Sequence, residues 1–263
     1  LLDSGYDKTG SLQIIKLKAQ VEIAAKKPDD AIASLGKISE EDVDESVQLL
    51  IAKAYAAKQD IESTKKTLRD SIMEDKTRTQ SYITLAAIYA SENDMDQAIS
   101  VMQDGANANP DDPRLGITLA GYYEKSGDVE SAIKQYEQIL VSKPDNLLAN
   151  NNLAALLADN RTDEESLSRA KNIADKLKDV KQPVVQDTVG WVYYKTGNYP
   201  EAVAMLEQVV TAAPNVNVFN YHLGMAYYKS GDNDKARDYL QQSLASEKEF
   251  SGRDVAQKTL DKL

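Results

Sequence analysis

Between Pro183 and Val216 the chain shows two apolar helical patterns around the turn Lys195-Thr196-Gly197-Asn198. Val189, Gly190 and Tyr193 belong to the first pattern. Ala202, Leu206 and Val209 recur in the second, which Pro214 stops. Thirty-four residues after Gly190 comes Gly224, followed by Tyr227, the turn Lys229-Ser230-Gly231-Asp232, Ala236 and Leu240. Self-similarity at that period marks a stack of helical hairpins, none of which buries its apolar face alone.

The same register divides the whole chain. Residues 1–11 read as a turn-rich remnant, with Leu1-Leu2 the tail of an earlier helix. Hairpins are expected over 12–44, 45–78, 79–112, 113–146, 147–182, 183–216 and 217–250. A lone amphipathic helix in 251–263 then covers the last hairpin, with Val255, Leu260 and Leu263 as its apolar residues. No comparable cap precedes the first hairpin and the chain starts at Leu1, so it reads as a piece of a longer or processed product. The fifth hairpin spans 36 residues, which points to an insertion in its interhelix turn, Asn160-Arg161-Thr162-Asp163. In the first hairpin Gly36 falls within the expected second helix, at a cost of about 1 kcal/mol relative to Ala. Glu40-Glu41-Asp42 suits the start of the next helix, where carboxylates meet free N–H groups.

Residue size explains the recurrence. The eighth position of each hairpin is small: Ala19, Ala52, Ala86, Ala120, Ala154, Gly190 and Gly224. So is the twentieth, at Ala98, Ala132, Ala202 and Ala236. Small residues let the two helices approach closely. Large ones at the eleventh and twenty-fourth positions, such as Tyr123 with Tyr136 or Tyr227 with Leu240, fill the space beside them. These positions, with Pro closing the period, resemble the tetratricopeptide repeat over residues 12–250. The resemblance implies an all-α, right-handed superhelical solenoid of about seven antiparallel hairpins plus the C-terminal capping helix. A second resemblance is to the C-terminal part of bacterial tetratricopeptide lipoproteins of exopolysaccharide and PEP-CTERM/exosortase systems. It rests on DTVGWVYYKTGNYPEAVAMLEQVV and the closing EFSGRDVAQKTLDKL.

Composition narrows the chemistry. Apolar residues make up 42% and charged residues 28%, a balance that packs and does not indicate disorder. Net charge is −11, which disfavours nucleic acid and anionic membranes as partners, since phosphate contacts need basic clusters. The charge is uneven: residues 1–112 hold 13 Lys+Arg and 21 Asp+Glu, against 18 and 21 in 113–263. We read this as solvated outer faces. With no cysteine, disulfide, thiolate-metal and thiol chemistry have no residue to use. No apolar run reaches the roughly 18–20 residues of a membrane span, so no direct membrane insertion is expected. The compartment stays open, with a periplasmic or envelope-tethered setting implied only by the second resemblance.

Candidate chemistry is sparse. His222 is the single histidine and reads as an ordinary surface or core residue; a metal site needs several converging ligands. Asp232-Asn233-Asp234 looks like the start of a calcium loop but lacks the glycine and distal glutamate of one, and caps a helix instead. Asn160-Arg161-Thr162 fits a glycosylation sequon by chance in an Asn-rich turn. No phosphate-binding glycine loop or nucleophile elbow is present. No cofactor, metal or enzymatic activity is expected.

The resemblance also implies where a partner would sit. In such arrays the second, fifth, ninth, twelfth and thirteenth positions of the first helices line a concave face. On this sequence they give Asn151, Asp187, Trp191, Tyr194, Tyr221, Met225 and Tyr228. Trp and Tyr are enriched at binding hot spots. For Tyr194 and Tyr228, packing between hairpins is an equal reading. The lysine–asparagine clamp that grips a C-terminal carboxylate in chaperone-binding members is broken: Lys16 and Gln20 begin it, but Leu50 takes the asparagine position. The expected function is a non-catalytic scaffold that binds a protein or peptide in the groove, within an envelope polysaccharide or protein-export assembly. A self-associating homo-oligomeric array and a polysaccharide-binding module are the alternatives.

Overall fold

A computed structural model describes residues 8–263. Among them are fifteen α-helices, one short 3-10 turn and no strand, as the all-α reading requires. The chain divides at Asp128 into two compact units.

The first unit is built from α1 (Lys8–Ala24), α2 (Pro28–Leu35), α3 (Glu45–Ala57), α4 (Ile61–Glu74), α5 (Thr79–Ser91), α6 (Met95–Ala108) and α7 (Pro113–Ser126). Three-residue turns fold α1 on α2, α3 on α4 and α5 on α6. Each hairpin packs on the next, and the first helices α1, α3, α5 and α7 touch in succession. The second unit holds α8 (Val129–Ser142), α9 (Leu147–Asn160), α10 (Glu164–Leu177), α11 (Pro183–Lys195), α12 (Tyr199–Ala212), α13 (Asn217–Ser230), α14 (Asn233–Leu244) and α15 (Arg253–Leu260). There α9, α11 and α13 lie side by side, and α15 rests on α14 and α13.

The repeated positions do the packing. Leu35, Leu68, Met102, Tyr136, Leu206 and Leu240, all at the twenty-fourth position, are at most 1% exposed. Each such burial contributes on the order of 1.5–3 kcal/mol. Opposite them stands the eighth position. A Cβ on Gly190 would fall 2.6 Å from Leu206 Cγ, and one on Gly224 would fall 2.8 Å from Leu240 Cγ. Glycine is thus needed at these two sites for close approach.

Acidic residues mark the helix starts. Asp44, Asp60, Asp94, Asp112, Asp163 and Asp232 each accept a hydrogen bond from a backbone N–H in the first turn of the helix that follows. In six turns a residue takes positive φ: Lys26, Gln59, Asn93, Gly127, Gly197 and Gly231. Glycine does this freely, whereas other residues spend about 1–2 kcal/mol. Asparagine at the fourth position of two first helices adds another device. Asn150 Nδ2 donates to the carbonyl of Pro144 at 2.8 Å, and Asn220 Nδ2 to that of Pro214 at 2.8 Å, closing the loops before α9 and α13.

Several details differ from the sequence reading. Residues 1–7, including Leu1-Leu2, lie outside the described residues, and α1 begins at Lys8, inside the stretch assigned to the remnant. Gly36 is not helix-interior: α2 ends at Leu35 and Gly36 follows as its C-cap. Glu40–Asp42 forms a separate 3-10 turn, and the start of α3 is capped by Asp44 instead. In α15 Val255 points outward at 45% exposure, while Ala256 and Thr259 face inward. The extra length of the fifth hairpin is split. α10 starts 17 residues after α9, against 16 for α12 after α11, and the loop before α11 has five residues where that before α13 has four. The fifth turn also has no left-handed residue; Arg161 is extended at φ −124.

Candidate functional site

The side-by-side packing of α9, α11 and α13 brings ring and carboxylate side chains onto one face of the second unit. Asp187 and Trp191 stand one helical turn apart on α11, so both reach the same neighbour on α13. That neighbour is His222. Its Nδ1 lies 2.9 and 3.0 Å from the two carboxylate oxygens of Asp187. The imidazole stacks on the Trp191 indole, with centroids 4.0 Å apart and planes 18° apart. Tyr194, the next residue along that face of α11, also stacks on Trp191, at 4.6 Å and 11°. The indole N–H donates to Asp159 Oδ1 on α9 at 2.6 Å. Three first helices are thereby joined through one tryptophan.

The cluster extends toward the C-terminal helix. Tyr221 is tilted against Trp191 at 5.5 Å and against Phe250 at 5.7 Å. The backbone of Gly252, at φ +97, lies directly on the Tyr221 ring; a Cβ there would stand 2.3 Å from Cε1. Lys195 places its ammonium 5.4 Å from the Trp191 ring centroid, and Tyr199 leans on Tyr194 at 5.9 Å.

The seven residues picked from the sequence separate by exposure. Asn151, Asp187, Trp191, Tyr221 and Met225 are buried, each below 8% exposed, whereas Tyr194 and Tyr228 are half-buried. His222 brings Asp187, Trp191 and Tyr221 into one cluster, and Tyr194 joins it through Trp191. Tyr228 lies close enough to raise the Tyr194 phenol electrostatically. Asn151 donates from Nδ2 to Asn152 Oδ1 at 3.2 Å, and its own buried Oδ1 has no hydrogen-bond partner among the described residues. Asp159, Lys195, His222 and Phe250 complete the cluster and were not among the residues chosen. Their signal is a cross-repeat register. Asp187 at a fifth position meets a sixth position one period later, and Asp159 at a thirteenth meets a ninth.

Burial sets the electrostatics. It pushes the Asp187 carboxyl above the usual carboxylate range; the neighbouring His222 works against this, and the charge of Asp159 adds to it. Burial, with Tyr199 and Tyr228 nearby, pushes the Tyr194 phenol up to about 12. The Tyr221 phenol is also raised by burial. The Asp187–His222 pair joins α11 to α13, with the imidazole packed on the rings of Trp191 and Tyr221. Among the described residues no three His, Asp or Glu side chains converge to hold a metal ion, and no helix is long and apolar enough to cross a membrane.

Comparison with known proteins places this arrangement. The tetratricopeptide repeat model matches residues 190–251, and the model for the ARM repeat of tetratricopeptide repeat protein 21 matches residues 11–169. No curated protein matches the sequence. Among solved structures, a tetratricopeptide repeat protein from Parabacteroides merdae is similar at TM-score 0.66 and 14% identity, covering 82% of this chain and 85% of that one. Pseudomonas aeruginosa pilF is similar at TM-score 0.57 and 16% identity, over 75% and 89% of the two chains. YrrB, a tetratricopeptide protein with an unusual peptide-binding site, is similar at 0.54 and 16%, over 74% and 98%. At these identities the likeness is one of fold.

Proposed function

Because the chain belongs to the tetratricopeptide repeat family, we propose that it is a non-catalytic scaffold that captures a protein or peptide segment on the first-helix face of its second unit. The observation that carries this reading is the fixed aromatic lattice across α9, α11 and α13. Trp191, His222 and Asp187 hold one another in place, while the half-buried rings of Tyr194 and Tyr228 reach the surface beside them. Pre-positioned rings cost little entropy on binding. The peptide-binding site of YrrB gives a precedent within the fold. In this reading Tyr194 and Tyr228 contact the partner, and Asp187, Trp191, Tyr221, Met225 and Asn151 form the frame behind them.

The test is a capture experiment with the full chain, comparing Tyr194→Ala and Tyr228→Ala with the parent. Both variants should keep their helicity and lose at least tenfold in partner recovery. Full recovery by the double variant would sink the reading. The polysaccharide alternative draws less support, because the Trp191 ring on which a sugar would stack is already engaged by Tyr194 and His222. An envelope polysaccharide or export assembly is proposed as the setting on the sequence likeness of residues 187–210 and 249–263. Fractionation of cells carrying the tagged natural protein tests it, and a purely cytosolic signal would reject it.

A further inference from the structure

The coil between α14 and α15 is longer than a connection there requires. Eight residues, 245–252, join these helices, whereas four join α12 to α13. The ends of the coil are tied together. Asn217 Nδ2, at the start of α13, donates to Ser246 Oγ at 2.7 Å, and Arg253 Nη1 donates to the Ser246 carbonyl at 2.8 Å. Between these ties Glu247, Lys248 and Glu249 are exposed. Phe250 then turns back onto the first-helix face and sets its ring on Tyr221, and the backbone of Gly252 lies on the same ring. Together they leave Tyr221 only 5% exposed.

The cover is lightly held. No residue of 245–252 is fully buried, and Phe250 itself is half-buried. A segment with so few buried apolar contacts opens far more readily than the fold unravels. Opening does not require α15 to leave, because that helix has its own anchors: the buried Ala256, and Arg237, which donates to the Leu263 carbonyl. A lifted coil uncovers Tyr221 beside Trp191 and so extends the face on which Tyr194 and Tyr228 stand. Whatever then rests on Tyr221 meets the surface that the coil meets now. An aromatic ring fits where Phe250 lies. Two residues further on there is no room for a Cβ, which would stand 2.3 Å from the ring.

We propose that residues 246–252 form an autoinhibitory strap, displaced by a partner segment that carries an aromatic residue followed two positions later by glycine. This rests on the reading that the first-helix face of the second unit captures a segment, and it adds Tyr221 to that face. Being part of the same chain, the strap competes at an effective concentration on the order of millimolar. Segments that touch Tyr221 alone are thereby kept out, and a partner that also engages Tyr194 and Tyr228 displaces it.

The experiment uses the full chain and a synthetic peptide of residues 246–253, SEKEFSGR, titrated to millimolar concentration. Trp191 is the single tryptophan and lies 5.5 Å from Tyr221, so its one indole N–H signal in NMR spectra reports occupancy. The Phe250→Ala chain should bind the peptide at least tenfold tighter than the parent, with unchanged circular dichroism. Excision of residues 247–250, which leaves a coil of the length found before α13, should do the same by a second route. Glu249→Ala changes an exposed side chain of the strap and should behave as the parent. A peptide carrying Phe250→Ala should not bind, and one carrying Gly252→Ala should bind at least fivefold more weakly. Equal binding by the parent and both opened chains, binding by none of them, or indifference to either peptide substitution would overturn the proposal. Adding Tyr194→Ala and Tyr228→Ala to the Phe250→Ala chain should leave peptide binding in place. Loss of the capture reading, seen as full partner recovery by the tyrosine variants, is thus a separate result from loss of the strap.

Discussion

Asp187 faces the Nδ1 of His222 with both carboxylate oxygens, across 35 residues and from one first helix to another. Both side chains are about nine-tenths buried, so each is the other's main compensation for lost water. Removing one partner from such a pair leaves an uncompensated polar or charged group. We expect His222→Ala to cost about 3–5 kcal/mol in urea denaturation at neutral pH. The double replacement Asp187→Leu/His222→Phe should cost much less than the two single losses together. Equal or greater loss in the double variant would show that the pair is not the coupled element.

Gly190 and Leu206 make a second linked pair. Replacing the glycine with alanine gains about 1 kcal/mol of helix propensity but places a methyl 2.6 Å from a fully buried Cγ. Overpacking of this kind costs about 1–3 kcal/mol, so Gly190→Ala should be destabilising on balance. Combining it with Leu206→Val should recover part of the loss. Thermal denaturation of the four species in a double-mutant cycle decides whether the two changes couple.

At Gln59 the sign reverses. This residue holds φ +61 in the turn before α4, where glycine stands in later repeats. Gln59→Gly should stabilise the chain by about 1 kcal/mol, since only the strained left-handed backbone is relieved. The denaturation midpoint reads this directly, and a lower midpoint would contradict it.

Alkaline pH should act on the second unit. Burial, assisted by the carboxylate of Asp175, raises the Tyr193 phenol to about 12, and burial does the same for Tyr194. A folded-state value above the unfolded one means the neutral phenol is favoured by folding. The stabilisation is therefore complete below about pH 10 and is lost as pH climbs toward 12. Trp191, the one tryptophan, stacks on Tyr194 and reports the change. Its fluorescence should shift between pH 10 and 12, and Tyr194→Phe should move that transition upward.

The hairpin frame was legible because its determinants are local. The eighth and twenty-fourth positions of one hairpin meet across a short turn, so spacing alone pairs Gly190 with Leu206 and Gly224 with Leu240. The site was legible only in part. A helical face says which residues share a side, not what stands opposite. Asp187 was found, but its partner His222 was read as an isolated histidine, since their meeting depends on the register between successive first helices. Tyr221 shares a helical face with the other candidates, yet the coil through Phe250 and Gly252 covers it, and no periodicity describes that coil. The spacing shows that the fifth hairpin is two residues longer than its neighbours, but the division of those residues between two loops depends on where each helix ends.

The asparagines at the fourth position bear on how this chain could be cut and recombined. Asn150 and Asn220 are tethered to Pro144 and Pro214, so α9 and α13 are each bonded to the loop preceding them. A cut between hairpins would separate the amide from the carbonyl that it binds. An exchangeable cassette therefore begins and ends inside the interhelix turns, joining the second helix of one hairpin to the first helix of its successor. The boundary between the two compact units, at Asp128, falls in such a turn. Chimeras spliced there should retain their loop tethers, and those spliced beside Pro144 or Pro214 should not.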